Sequence, residues 1–174
     1  LASQGVTSFC ATTMTVSFSL LEKILGYASL FQKSDYIGAS LAGIHLEGPY
    51  LSAGRSGVQN PDYIRKPDFE EFRSLADRFP GLIKIVDAAP ETEGATDFIR
   101  KASKLCTVSF SHSVANYERA RESFSEGITQ VTHLFNAMTG INHRVPGAAA
   151  AVFDDSQVKA EIICDGLHVH PAVL

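Results

Sequence analysis

The strongest constraint on how this chain folds is its rhythm: short β-rich runs alternate with helix-like segments along the whole sequence. Residues 6–13 are rich in β-formers, and residues 19–31 carry Leu20, Leu21, Ile24, Leu25 and Ala28 at helical spacing. Residues 41–47, 82–88, 107–111, 128–132 and 158–164 read as five further strands. Between them the sequence predicts a helix that Pro67 opens at its first turn, a helix over 96–105, a third capped by Asn116 and stopped near Gly127, and a small-residue helix over 147–153. Strands separated by helices pair in parallel, because each crossover returns the chain to the same end of the sheet.

Two architectures satisfy that rhythm. A doubly wound open sheet places its main ligand crevice where the strand order reverses. A TIM-type (β/α)8 barrel brings the C-terminal ends of all its strands to one mouth, so ligands from several strands converge there. Here the chemically marked residues lie at the ends of the second, fourth and fifth strands, which favours the barrel. A complete barrel takes about 250 residues. The 174 residues are therefore expected to supply about six of its eight βα units, as the central portion, 1–174, of a barrel whose first and last strands lie outside this chain.

Composition narrows the class. With 45% hydrophobic residues the chain can bury a substantial core. A formal net charge of −4 and a pI near 5.8, without a cluster of Lys or Arg, argue against nucleic acid or an anionic membrane as principal partner. No apolar run approaches the roughly 18 residues that a bilayer span requires. Cys10, Cys106 and Cys164 form an odd set without a CxxC pair, each in or beside an apolar run. They read as buried reduced thiols, which places the protein in the cytoplasm. The sequence opens at Leu1, so a preceding targeting segment stays an open alternative.

The chemistry is concentrated at three strand ends. Glu47 closes an apolar run and passes directly into Gly48-Pro49, where an unpaired carboxylate is costly unless a cation or a salt-bridge partner compensates it. His112 and His133 lie 21 residues apart, about one short βα unit, which gives them equivalent places on adjacent strands. Together the three make an N/O ligand set with room for water, as in catalytic zinc or iron sites. His45 shares the face of Glu47, two residues earlier. It is read as a supporting residue behind the ligands, against the alternative of an ordinary buried histidine. The connection over 48–66 is longer than structureless loops usually are, which marks it as functional.

Four linked motifs carry a resemblance. His45-Leu46-Glu47-Gly48-Pro49, Ser111-His112-Ser113, Thr132-His133-Leu134-Phe135-Asn136-Ala137-Met138 and Asp165-Gly166-Leu167-His168-Val169 resemble, in order and spacing, the N-acetylglucosamine-6-phosphate deacetylases of the amidohydrolase superfamily. The resemblance implies a metal-dependent hydrolysis of the acetamide of N-acetylglucosamine 6-phosphate to glucosamine 6-phosphate and acetate. It implies that Glu47, His112 and His133 bind one divalent metal ion, with zinc the first choice and iron or another divalent ion as alternatives. Such an ion would supply Lewis acidity and an activated water.

Further roles follow from the same resemblance. Asn136 and the backbone of Ala137 are expected to hold the sugar phosphate. Arg144 matches a phosphate-binding arginine that can serve a neighbouring subunit in a homodimer, with a solvated surface cation as the alternative, and His168, at the end of the sixth strand, matches a substrate-binding histidine. A histidine expected in a Gly-x-His-Asn-Pro segment is replaced: Gly57-Val58-Gln59-Asn60-Pro61 places Gln59 there. Its amide can donate to a substrate carbonyl but cannot become charged, and an ordinary polar loop residue is the alternative. Asp165 is assigned to local backbone hydrogen bonding in the turn that carries His168. The general-base aspartate and the metal-proximal His-x-His segment do not fall within residues 1–174, so this segment alone is expected to be inactive. Two rival readings remain, a non-catalytic phosphosugar-binding barrel module and an amidohydrolase acting on another N-acetylated sugar.

Overall fold

A computed structural model describes all of residues 1–174. Its single sheet is built from β1 (Ser8–Thr12), β2 (Ser40–Leu46), β3 (Ile83–Ala88), β4 (Thr107–Phe110), β5 (Ile128–Val131) and β6 (Lys159–Ala160). Neighbours in the sheet are neighbours in sequence, and every pairing is parallel. There is no reversal of strand order, which removes the open doubly wound alternative. The sheet curls into an incomplete TIM-type barrel, with every strand's C-terminal end at one rim.

The helices are α1 (Phe18–Gln32), α2 (Phe69–Arg78), α3 (Ala95–Ala102), α4 (Tyr117–Glu126) and α5 (Ala148–Phe153). Local chemistry sets their ends. Ser17 accepts from the Leu20 amide at the start of α1, and the Asn116 side chain accepts from the Arg119 amide at 2.9 Å at the start of α4. Asp68, not Pro67, begins α2: its carboxylate accepts from the Glu70 and Glu71 amides at 2.9 and 3.1 Å, and Pro67 lies one residue before that cap.

Period-two alternation divides the strands between two environments. Ile44, Leu46, Val86, Ala88, Val108, Phe110 and Val131 join the buried apolar core shared with the helices. Helix α3 answers with Ala95, Phe98, Ile99 and Ala102, all buried, and the Phe98 ring centroid lies 4.7 Å from that of Tyr50 and 5.6 Å from that of Phe72. The intervening positions on the other face, His45, Asp87, Ser109, Ser111 and Thr132, are polar and buried. The barrel interior beneath the rim is thus lined by hydrogen-bonding groups.

Three expectations need correction. The sixth strand is two residues long instead of seven. It pairs only with β5, and although Glu161 still exchanges backbone hydrogen bonds with Val131 and Leu134, Ile162 and Cys164 lie exposed with no second strand against them. His168 accordingly lies in a turn eight residues beyond β6, not at the end of a strand. Nor are the cysteines uniformly buried: all three are free thiols, but Cys10 and Cys106 are half-buried and Cys164 is exposed. No helix is long and apolar enough to cross a membrane.

Burial pushes the Cys106 thiol up to about 12. Its stabilising contribution is complete below the ordinary thiol range and is lost as pH rises from there through the folded value, because only the unfolded chain then gains by ionising. Thiol labelling at pH 8 is expected to modify Cys164 first and Cys106 last, with Cys106 becoming reactive on addition of denaturant. Equal rates for the two in the folded protein would contradict the packing described here.

Candidate metal centre

Glu47, His112 and His133 meet at the rim, with one potential ligand atom from each within 4.8 Å of the others. Glu47 Oε1 lies 3.0 Å from His112 Nε2 and 3.4 Å from His133 Nε2, and the two imidazole nitrogens are 3.2 Å apart. Two ligand atoms about 2.0–2.1 Å from a tetrahedral ion lie about 3.3 Å apart. The three separations bracket that value.

The sequence reaches this geometry by two routes. Glu47 follows β2 in regular alternation, two residues after His45 and on the same face. His112 and His133 each lie two residues past the end of their strand, and each follows an inward-facing residue, Ser111 or Thr132. Regular alternation would turn both imidazoles away from the interior. Instead His112 (φ 44°) and His133 (φ 38°) occupy the left-handed region, which swings them back over the mouth. Such conformations cost about 1–3 kcal/mol each and cluster at functional sites. Phe135 (φ 78°) and Ala137 (φ 50°) repeat the feature in the loop after His133.

His112 Nδ1 lies 2.7 Å from the Arg55 carbonyl oxygen, so Nδ1 carries a proton and donates it. In the neutral ring, Nε2 is then a lone pair aimed at a carboxylate oxygen and another imidazole nitrogen. Without a cation the cluster adapts by proton uptake. Burial opposes charge on His112, but the Glu47 hydrogen bond and the Arg55 carbonyl outweigh it and raise its pKa. Burial likewise favours neutral Glu47, yet His112, His133 and the Gln59 amide hold its carboxyl well below the usual range. A divalent ion satisfies all three lone pairs at once, so these residues fit a metal. His133 Nδ1 is buried with no partner among the protein atoms.

The other predicted residues are distributed unevenly. Gln59 is 2% exposed, and its Oε1 accepts from the Thr15 amide at 2.7 Å while its amide nitrogen faces the Met14 sulfur at 4.0 Å. Asn136 and Ala137 follow His133 in the same loop. The Ala137 carbonyl accepts from the Ser113 amide at 3.0 Å, tying the two histidine loops together, and its own N–H makes no hydrogen bond within the chain. Arg144 is exposed in a turn organised by the Asn142 side chain and forms no ion pair. The His168 ring, also exposed, pairs with Asp165 at 2.6 Å. The Asp165 carboxyl is held at about 2 by the backbone amides of His168 and Leu167 and by the His168 ring.

Several residues of the site were not singled out by sequence. Asp87 Oδ1 lies 2.7 Å from His45 Nε2 and accepts from Thr132 Oγ1 at 2.9 Å, and Thr132 is 2.8 Å from Ser109 Oγ. Burial opposes charge on His45, but the hydrogen bond and charge of Asp87 outweigh it and raise the ring above its ordinary value. Glu91 accepts from Ser113 Oγ at 2.6 Å and from the Val114 amide at 2.8 Å, clamping the residues that follow His112. The available signal for Asp87 was a lone acidic residue inside the apolar run 82–88.

No family model matches the chain. It is 36% identical over 175 residues to the N-acetylglucosamine-6-phosphate deacetylase of Bacillus subtilis, covering 98% of this chain and 44% of that protein. It is 33% identical over 174 residues to the N-acetylgalactosamine-6-phosphate deacetylase of Escherichia coli O157:H7, covering 99% and 46%. A Mycobacterium smegmatis N-acetyl-D-glucosamine-6-phosphate deacetylase mutant, solved in complex with N-acetyl-D-glucosamine-6-phosphate, superimposes with a TM-score of 0.89 at 36% identity, covering 96% of this chain and 43% of that one. The chain spans less than half the length of the curated relatives it matches. Through sequence and fold along nearly its whole length, this chain is similar to part of the N-acetylglucosamine-6-phosphate deacetylases.

Proposed function

We propose that the intact protein is a metal-dependent deacetylase that hydrolyses the acetamide of N-acetylglucosamine 6-phosphate, giving glucosamine 6-phosphate and acetate. The carrying observation is the convergence of Glu47, His112 and His133 in a chain homologous to proteins named for that reaction. A divalent ion on this N/O set supplies Lewis acidity and an activated water, with zinc the first choice and iron an alternative that the same donors accept.

The remaining work is assigned to the chain's own residues. The Arg55 carbonyl keeps the proton on His112 Nδ1 and leaves the Nε2 lone pair free to bind. Gln59, fixed through Thr15, is the contact to the acetamide carbonyl. Asn136, the unpaired Ala137 N–H and Arg144 serve the phosphate, where the planar guanidinium offers two parallel hydrogen bonds. Arg144 is exposed without an ion-pair partner, which suits a role across a homodimer, and His168 is assigned to the sugar. Free thiols in all three cysteines fit a cytoplasmic setting. Glu161, the further carboxylate within electrostatic reach of the cluster, accepts a hydrogen bond from the Gln130 amide at 2.6 Å; following the family resemblance, the general base is assigned instead to an aspartate outside residues 1–174, so this segment alone should not turn over.

A second reading has specific support. The Escherichia coli relative is named for the galactosamine epimer at comparable identity, so substrate choice between the two sugars is open to direct assay. The intact protein should deacetylate N-acetylglucosamine 6-phosphate faster than its galactosamine epimer or the unphosphorylated sugar, lose activity on chelation and regain it with Zn²⁺. Glu47→Gln should lower kcat/KM by about 100-fold or more, beyond the 10–100-fold typical of a residue that only supports a ligand. Binding without turnover by the metal-loaded protein would instead favour the non-catalytic module.

Gly57 gives an independent check on the loop over 48–66. Its φ of 56° suits glycine, and an added Cβ would meet His112 Cε1 at 3.3 Å. Gly57→Ala should destabilise the protein by about 1–2 kcal/mol through the left-handed backbone alone. It should also weaken metal binding by displacing the ring. Denaturant unfolding together with metal titration separates the two effects, and unchanged metal affinity would show that the ring does not move.

A further inference from the structure

We propose that Asp87 is the positioning residue of the metal centre: a carboxylate on β3, which itself supplies no ligand, that fixes the three strands that do. This inference rests on the metal-binding reading of Glu47, His112 and His133. Asp87 is 0% exposed, and its hydrogen-bond partners His45, Thr132 and, one step further, Ser109 are 4%, 4% and 0% exposed. An ionised carboxylate only accepts hydrogen bonds, so both His45 Nε2 and Thr132 Oγ1 donate to Asp87 Oδ1, at 2.7 and 2.9 Å. The Thr132 proton is then committed, and Ser109 Oγ donates to Thr132 Oγ1 at 2.8 Å. The chain of donors runs in one direction and ends on Asp87.

Each member lies close in sequence to a different ligand. His45 is two residues before Glu47 on β2, Thr132 immediately precedes His133 after β5, and Ser109 on β4 is three before His112. Asp87 is paired in register with Ser109 across β3 and β4. The network therefore ties the three strand ends at one level directly beneath the ligands. Main-chain pairing sets strand register but leaves each rim free to shift by tenths of an ångström, which is the scale that matters for a metal. Packing does not account for Asp87, because its Oδ2 is buried with no partner and such an atom costs stability. Its position is explained by what it aligns.

The test uses the intact protein stripped of metal. Asp87→Ala, Asp87→Asn, Thr132→Val, Thr132→Ser and, as reference, Glu47→Gln are titrated with Zn²⁺ against a chromophoric chelator. Co²⁺ spectra report ligand geometry, and thermal unfolding of the metal-free form reports stability separately. Asp87→Ala is expected to weaken Zn²⁺ binding by about 10–100-fold and to alter the Co²⁺ spectrum. Asp87→Asn, which keeps the acceptor oxygen, should fall between it and the parent. Thr132→Val should reproduce the loss, and Thr132→Ser, which keeps the hydroxyl, should restore binding.

A folded Asp87→Ala protein with parental affinity and spectrum, alongside a weakened Glu47→Gln, would overturn the assignment while leaving the metal centre intact. Parental affinity in Glu47→Gln would instead remove the metal centre, and this proposal with it. If Asp87→Ala does not fold, the Thr132 pair decides: equal affinities for Val and Ser overturn the proposal.

Discussion

A carboxylate oxygen and two imidazole nitrogens are held within hydrogen-bond distance of one another at the rim of a half-closed sheet, and the surrounding structure is arranged around that arrangement's cost. Lone pairs 3.0–3.4 Å apart repel unless something positive stands between them. In the metal-free chain a proton plays that part, which is why Glu47 is held ionised while His112 binds its proton more tightly. The same three side chains could hold a divalent ion. Burial makes the alternative expensive, since only 16% of the Glu47 side chain and 4% of that of His112 reach solvent.

Holding such a cluster open needs rigidity on every side. The loop over 48–66 supplies part of it. Tyr50 and Leu51 are buried, the Tyr50 hydroxyl donates to Glu71 at 2.9 Å, the Ser52 amide donates to the His112 carbonyl, and Arg55 fixes the His112 ring. Gly48 allows the chain to turn into that loop: at φ 93°, an added Cβ would lie 2.0 Å from Thr15 Oγ1. The left-handed backbones at His112 and His133 are affordable because Glu91, Ala137 and the strand ends hold the residues on either side.

Much of this was legible in the sequence, and the misses share a cause. The strand and helix rhythm is a one-dimensional signal, so the six parallel strands followed from it, and Asn116 and Gly127 marked the two ends of α4. Glu47, His112 and His133 were readable because each sits where an apolar run stops. Asp87 was not, because its meaning lies in what faces it across the barrel: His45 is 42 residues away and Thr132 is 45. Left-handed φ is only weakly signalled by a histidine, far less than by a glycine. The length of β6 and the exposure of Cys164 were misjudged for a related reason. An apolar run reports what could be buried, while burial itself depends on whether a second surface is present.

The buried polar layer also separates stability from function. Replacing a buried ion pair with apolar residues of similar volume is often neutral or stabilising by about 1–4 kcal/mol, whereas removing one partner is costly. A Val or Leu at position 87, matched by an apolar residue at 45, would extend the packing already present on the other face of the same strands. A chain selected only for stability has no need of the His45 and Asp87 pair. Its directional hydrogen bonds do what apolar contact cannot: they distinguish one arrangement of the strand ends from another displaced by a fraction of an ångström. Apolar packing holds the sheet against its helices and tolerates such displacements, so the two faces of one sheet divide the tasks of staying folded and of staying aligned.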